Sequence, residues 1–549
     1  MQHVVAMLRS VRTVTSRAMS RDSIPAWLGV SAFIGVTTLI LMQSTGWGQN
    51  NPDGPTPLPS LPEIRGQHGA VDVTLRAVTT ADGRDQYEYQ GRTVPPVIRV
   101  APGGRMNVTL INAMSADSHE TVSGSCWSMP PGPAKAIPCM QMTNLHFHGM
   151  QVSPNPPQDD VLTMMTHPGE TLHYSVAVPA WESPGLYWYH PHPHGESDKQ
   201  LLDGMSGAII VEGIDRVVPQ IRGLRERVMV LRSRPFDDQR LPSRVVQILQ
   251  PLLNRGRQLE ARATPQAFAG ACKTQEAPAA YFTVNGVLDP AIDVVPGERQ
   301  FWRIVNASGD SFADLQIDGA TFQVVALDGA PLVHQDPRHP TRVTDHVLLP
   351  PAGRLEAIVT GPQPGARATL RTRCVNTEHD GDSNPAMVLA EIVPGAHTAV
   401  HQSVARLQQE PARFGPPQNL AQAEHSAPQA TITFTEDEAG FYINNHRFDP
   451  TDGPMFRVRV GSIAHWRVAN QTQEIHPFHI HQVHFLTYAV NGVPVQDPVW
   501  RDTMDVPAKG GTIDVILDAR QAVIRGMSVF HCHMIRHEDK GMMAKVLFY

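Results

Sequence analysis

Histidines spaced two apart carry the clearest chemistry in this 549-residue chain. Four His-x-His pairs occur: His146/His148, His190/His192, His479/His481 and His531/His533. On a strand, side chains at i and i+2 leave the same face, so each pair can present two imidazoles to one side while the residue between points away. One such pair is weak evidence, because surface histidines often fall two apart. Four pairs, two early and two late in the chain, offer eight imidazoles, a set able to hold three metal ions.

The last pair brackets a cysteine. His531-Cys532-His533 is followed by His537 and Met542, and His476 stands upstream in His476-Pro477-Phe478-His479-Ile480-His481. Two imidazoles (His476, His537), one thiolate (Cys532) and a weak axial thioether (Met542) form the donor set of an electron-transfer copper. Met543 competes for the axial place, but consecutive strand side chains face opposite ways, so only one of the two can approach. Because Cys532 points away from His531 and His533, its sulfur serves one metal while its neighbours serve the cluster, and the peptide between them becomes a short electron path. Structural zinc, which closes with four ligands, has no use for a thioether or an adjoining cluster.

These residues resemble the multicopper oxidases, the family of laccases, ferroxidases, bilirubin oxidases and the bacterial copper-efflux oxidase, from about residue 70 to the C-terminus. The run His531-Cys532-His533-Met534-Ile535-Arg536-His537-Glu538-Asp539-Lys540-Gly541-Met542-Met543 looks most like the bacterial copper-efflux and spore-coat oxidases. The resemblance implies four coppers per chain. It makes His476, Cys532, His537 and Met542 the type 1 set, His146 and His479 the type 2 ligands, and His148, His190, His192, His481, His531 and His533 the type 3 ligands. It implies an all-β fold of three cupredoxin-like Greek-key β-sandwich domains, with the cluster between the first and third and the middle domain as a spacer. The implied reaction couples four one-electron oxidations of a donor to reduction of dioxygen to two waters. A laccase-like donor, a phenol or aryl amine, leads; cuprous or ferrous oxidation, or a copper-resistance role in the cell envelope, is the alternative.

Reducing dioxygen consumes protons in a site that otherwise excludes water, so acids are needed beside the cluster. Glu538 directly follows His537, and Asp159 or Asp160 follows the His146-Phe147-His148-Gly149 stretch, with Asp159 preferred. These positions resemble the proton-relay acids of bacterial members; a helix cap or solvated acid is the plainer reading of each. His194 and His484 are read as non-ligands. Methionines 114, 129, 140, 142 and 150, with His119 nearby, are either core fillers or a soft cuprous-attracting loop.

Elements that position these residues recur three times. Gly103 to Asn112, Gly297 to Asn306 and Gly461 to Asn470 each read as a turn followed by an alternating apolar strand. The repeat, at offsets of 194 and 164 residues, predicts three copies of one β domain. Expected bounds are 64–215, 216–400 and 431–549, with residues 401–430 as a Pro/Gln/Ala-rich linker. The second repeat has no His-x-His pair, consistent with a spacer.

A formal net charge of -7 offers no basic stripe for phosphates, which argues against nucleic acid as a partner and leaves dioxygen and an electron donor. Residues 1–63 read as an export segment plus a Pro-rich spacer. Arg9, Arg12, Arg17 and Arg21 precede the uncharged Ile24 to Met42, with Ser44-Thr45-Gly46 as a cleavage site. A cleaved signal and a retained membrane anchor both fit, and either puts the folded part outside the cytoplasm, periplasmic or extracellular. Cys126, Cys139, Cys272 and Cys374 remain to pair there, and proximity favours Cys126 with Cys139 and Cys272 with Cys374. A copper carrier without turnover and a scaffold on a dead oxidase fold are the non-enzyme readings. The scaffold predicts broken ligands, and every ligand is present.

Overall fold

The three repeated segments become the strands Arg105–Ala113, Arg299–Asn306 and Ser462–Asn470 in a computed structural model. It describes residues 56–66, 69–115, 141–236, 249–255, 258, 278–363, 365–366, 368–395 and 427–549. Ahead of each strand a glycine turns the chain in the left-handed region that a side chain resists, at φ 78° in Gly103, 76° in Gly297 and 91° in Gly461. At the far end a buried asparagine closes the strand identically. Its Oδ1 accepts the backbone N–H two residues on, from Met114, Ser308 and Thr472, at 3.1, 3.3 and 3.0 Å. Its Nδ2 donates to loop carbonyls at Gln141, Leu349 and Glu474. The Gly-to-Asn spacing is therefore the length of one strand between two fixed turns.

Pairing repeats as well. Each of these strands runs parallel to an upstream partner, Ala70–Thr79, Arg225–Pro235 or Ala430–Asp437. Each runs antiparallel to a downstream one, Thr171–Ala177, Arg354–Thr360 or Gly511–Ala519. The described strands make six sheets, two per unit: four and five strands in the first unit, seven and five in the second and third. Alternating apolar residues from facing sheets fill three separate cores. Leu75, Leu110 and Phe147 lie in the first, Trp302 and Phe322 in the second, and Trp466, Phe478 and Phe530 in the third. Burying each such ring contributes roughly 1.5–3 kcal/mol, so each sandwich holds its strand register firmly. The fold is all-β, three sandwiches of cupredoxin type.

The units are welded together. Trp188 of the first, Val305 and Ala352 of the second and Ile535 of the third share one apolar cluster. Buried Arg99 takes Glu63 at 2.9 Å and Glu212 at 3.4 Å, and also pairs with Glu226 of the middle unit. Within the expected spacer, the backbone at Leu58 and Pro59 is bonded along the middle unit, before Glu63–Arg65 joins the first sheet beside Val97–Val100. The export segment and most of the 401–430 linker lie outside the described residues, as do Cys126, Cys139 and Cys272. Cys374 is disulfide-bonded and Cys532 is free. Among the described residues no helix is long and apolar enough to cross a membrane.

Candidate metal centre

Two hairpin-like pairs of strands set the histidines. His146–His148 pairs with Gly185–His190, placing His146 opposite His190. His476–Ile480 pairs with Gly526–Cys532, placing His479 opposite His531 and Phe478 opposite Cys532. Phe147 and Ile480, the residues inside the His146/His148 and His479/His481 pairs, turn inward to their cores, so the imidazoles of the first and third units face each other between the sandwiches. All eight are buried, and their rings pack at centroid distances such as 3.7 Å for His146–His481 and 4.0 Å for His148–His479. The sequence-predicted cluster residues are thus brought together, four from each side.

One nitrogen of most rings is fixed by a protein partner, which leaves the other to face the centre. His146 Nδ1 donates to Asp159 at 3.0 Å, His190 Nδ1 to the Pro191 carbonyl at 2.9 Å and His531 Nδ1 to the Cys532 carbonyl at 2.9 Å. His479 Nδ1 donates to the Asp502 carbonyl at 2.7 Å. His148 reverses the pattern, since its Nε2 is the end held, by Asp502 Oδ1 at 3.2 Å. Left without a hydrogen-bond partner are His146 Nε2, His148 Nδ1, His190 Nε2, His479 Nε2 and both nitrogens of His533. Leaving a buried polar atom unsatisfied costs about 1–3 kcal/mol, so several converging on one point call for a cation. Burial pushes the imidazolium form down in every ring, to about 3 in His190 and about 4 in His531, leaving neutral lone pairs, the form that binds metal. The Nε2 atoms of His481 and His192 lie 3.1 and 3.4 Å from His531 Nε2. Two nitrogens on one tetrahedral ion sit about 3.3 Å apart when each bond is about 2.0–2.1 Å, so this spacing suits a shared metal.

A second group lies on the opposite face of the Cys532 strand. Cys532 Sγ is 3.4 Å from His476 Nδ1 and 3.9 Å from His537 Nδ1, and the two nitrogens are 3.2 Å apart. Met543 pairs across the strands with His531 and packs in a separate small cluster, whereas the Met542 carbonyl receives the Cys532 N–H and its side chain shares the core with Cys532. Met542 is therefore the methionine on the sulfur's side. Replacing Met542 by Leu removes a weak donor that favours oxidised copper, so redox titration of the blue band should give a raised potential, with Met543→Leu near the parent value.

Asp159 and Asp160 separate cleanly. Asp160 accepts the N–H groups of Leu162 and Thr163 at 2.9 and 3.0 Å, an ordinary turn cap. Asp159 is fully buried, holds His146, and accepts the Phe147 N–H at 3.0 Å and Gln482 Nε2 at 2.8 Å. Burial pushes its carboxyl up to about 8, partly opposed by those two donors. Glu538, also buried and raised by burial, brings its oxygens within 3.4 Å of His192 Nδ1 and 3.2 Å of His531 Nδ1, although neither contact is aligned as a hydrogen bond. Both acids stand one step behind cluster imidazoles. Asp159→Asn should slow oxygen uptake by roughly 10- to 100-fold, as partners of metal-bound imidazoles generally do, while leaving the blue absorption intact. Bleaching of the blue centre in that variant would contradict the placement.

Other sequence candidates fall elsewhere. His484 is buried and donates to the Asp328 carbonyl at 2.8 Å. His194 packs on Phe448 at 5.0 Å and lines a small cavity with Glu538. Met114 and Met150 fill the first core; Met129, Met140 and His119 lie outside the described residues. Asp502, Gln482 and the acids described below carry no local signature and were not anticipated.

Beside His537 opens a cavity of about 570 Å³. Six carboxylates line it, Asp310, Asp380, Asp382, Glu436, Asp437 and Glu474, against Arg536 and Lys540. His537 stacks on Phe441 at 3.9 Å, with Nε2 3.4 Å from Glu474 and Nδ1 toward Cys532, so one imidazole joins the cavity wall to the sulfur.

A sandwich-built protein with a thiolate–imidazole site on one face of a strand and an imidazole cluster on the other is a copper protein by fold and donor set. Sequence models described as multicopper oxidase match residues 138–215, 254–391 and 417–549, together more than half of the chain. The chain belongs to the multicopper oxidases, and is a copper-dependent oxidoreductase acting on oxygen. It is 20% identical to the multicopper oxidase mco of Staphylococcus aureus, over 83% of each chain. It is 23% identical to a laccase of Haloferax volcanii, over 89% of this chain and 83% of that one. Among solved structures it shares its fold with a Campylobacter jejuni multicopper oxidase described as a metallo-oxidase. That match has TM-score 0.62 and 20% identity, covering 91% of this chain and 97% of the other. A 2F4 variant of McoA from Aquifex aeolicus matches at TM-score 0.65 and 19% identity, over 90% and 99%.

Proposed function

We propose that this oxidase takes single electrons from a cationic donor at the acidic cavity, foremost a low-valent metal ion, and delivers them to dioxygen to give two waters. The observation that carries the reading is the carboxylate-lined cavity whose wall includes His537. Copper bound at the two groups, one type 1, one type 2 and two type 3 ions, would supply one-electron redox chemistry at Cys532 and oxygen binding among the imidazoles.

The chain's own part is positional. His476, Cys532, His537 and Met542 form the entry site, and His146, His148, His190, His192, His479, His481, His531 and His533 the cluster. The backbone of Cys532 spans the two directly. Asp159 and Glu538, each buried against cluster imidazoles, hold protons where solvent is excluded.

Crowded like charges favour a cation. Burial and the neighbouring Asp198 push Asp310 up to about 7, a cost that a bound cation relieves. Below that value the carboxyl is protonated and attracts the donor little; as pH rises through about 7 it ionises, so KM for a cation should fall. Relatives described as iron transport multicopper oxidase, from Candida glabrata and Epichloe festucae, and the metallo-oxidase of Campylobacter jejuni support a metal donor. The laccases among the relatives keep an aryl amine as second reading, of a size the cavity admits.

Steady-state oxygen uptake with Fe(II), Cu(I), a phenol and bilirubin side by side tests the choice. Fe(II) or Cu(I) should lead, and Asp382→Asn should raise KM for the metal by roughly fivefold, corresponding to about 1 kcal/mol for one charge near the surface. A phenol leading the panel, with Asp382→Asn unchanged toward metal ions, would overturn the donor class. The folded part is proposed to work outside the cytoplasm, which N-terminal sequencing of the protein from cell-envelope fractions would check.

A further inference from the structure

The middle unit carries no cluster imidazole, yet one of its side chains reaches the cluster ligands through a single carboxylate. Arg354, fully buried at the start of the strand Arg354–Thr360, makes a two-pronged contact with Asp502 of the third unit, Nη1 to Oδ1 at 2.7 Å and Nη2 to Oδ2 at 2.5 Å. Its Nε donates to the Leu186 carbonyl of the first unit at 3.3 Å. All three sandwiches thus meet on one guanidinium.

Asp502 in turn holds two cluster imidazoles from different units. Its Oδ1 receives His148 Nε2 at 3.2 Å, and its carbonyl receives His479 Nδ1 at 2.7 Å. The first contact is what turns His148 around, so that Nδ1 rather than Nε2 faces the centre. The chain after His148 is shaped to this pair. Gly149 has φ 84°, and a Cβ there would strike the Arg354 guanidinium and come within 2.6 Å of Asp502 Oδ2.

We propose that Arg354 is a positioning residue for the three-copper cluster: by fixing the plane of the Asp502 carboxylate it sets the orientation of His148, and so makes cluster assembly depend on the middle domain. A planar fork determines where both carboxylate oxygens lie, which a point charge does not, and a buried carboxylate stripped of its partner does not keep its place. The consequence falls on the cluster and spares the Cys532 site, whose ligands make none of these contacts.

The inference rests on the copper reading of the cluster, and the test separates the two. Copper-loaded Arg354→Met, Arg354→Lys and Asp502→Asn are compared with Arg303→Met, which removes another buried arginine of the middle unit, paired with Glu226 and Glu356 but with no cluster ligand. The readouts are copper per chain, the type 2 electron paramagnetic resonance signal and the blue absorption, which serves as an internal measure of folded third domain. Arg354→Met and Asp502→Asn should lose cluster copper, read as copper per chain against the blue absorption, with a 10- to 100-fold weaker affinity, roughly the effect of removing an outer partner of a metal-bound imidazole. Their blue band per folded chain should stay at the parent level, with Arg354→Lys between. Should Arg354→Met fail to fold, Asp502→Asn decides by the same ratio. A parent ratio of copper per chain to blue signal in Asp502→Asn, or an equal loss in Arg303→Met, would overturn the proposal. Unmodified protein without any type 2 signal would overturn the copper reading along with it.

Discussion

Cys532→Ser should yield a colourless protein that neither accepts electrons from donors nor consumes oxygen above background. The sulfur lies 3.4 Å from His476 Nδ1 and 3.9 Å from His537 Nδ1, buried with Met542 and Phe478, and no other thiol among the described residues is free. Serine offers a hard hydroxyl that cannot supply the soft thiolate on which the blue centre depends. The backbone link to His531 and His533 survives the change, so the cluster should still fill. Metal analysis is therefore part of the measurement: about three coppers retained, with loss of colour, places the defect at the entry site. A Cys532→Ser variant that stays blue, or parent protein holding one zinc and no copper, would falsify the assignment.

The converse change is His481→Ala. His481 Nε2 approaches His531 Nε2 at 3.1 Å and its ring stacks on His146, so its loss opens the cluster where strands of two domains meet. The Cys532 group faces the other way and should be untouched. The expected result is a blue protein that donors bleach under anaerobic conditions and that air does not recolour, with steady-state oxygen uptake at background. His148→Ala should behave alike. Normal turnover in either variant would mean that the cluster ligands are elsewhere.

Much of this site was legible because its histidines announce themselves in pairs. Alternation on a strand converts His-x-His into two imidazoles on one face, and the same rule sends Cys532 to the other, as the pairing of His479 with His531 and Phe478 with Cys532 bears out. The repeat was legible for a different reason. A positive-φ glycine and a strand-closing asparagine are local requirements, so their spacing records strand length directly. Asp159 and Asp160 were harder, because adjacent acids differ only in which one the turn after Ser153 points inward. Arg354 and Asp502 were invisible: they stand 148 residues apart, in different domains, in segments with no unusual spacing. The acidic cavity was equally hidden, since Asp310, Asp382 and Glu474 come from separate connecting segments and Glu436 from the end of the strand Ala430–Asp437, which only the packing of the second unit on the third brings together. Sequence periodicity reports what one strand does; it says nothing of charges that meet across domain boundaries.

The most direct test of the central claim, that electrons enter singly at Cys532 and leave together to dioxygen, is the ratio of donor oxidised to oxygen consumed by copper-loaded protein. With Fe(II) or a one-electron organic donor in excess, and catalase omitted, four equivalents of donor should disappear per dioxygen with no hydrogen peroxide released. Two equivalents per dioxygen, with peroxide accumulating in step, would contradict it.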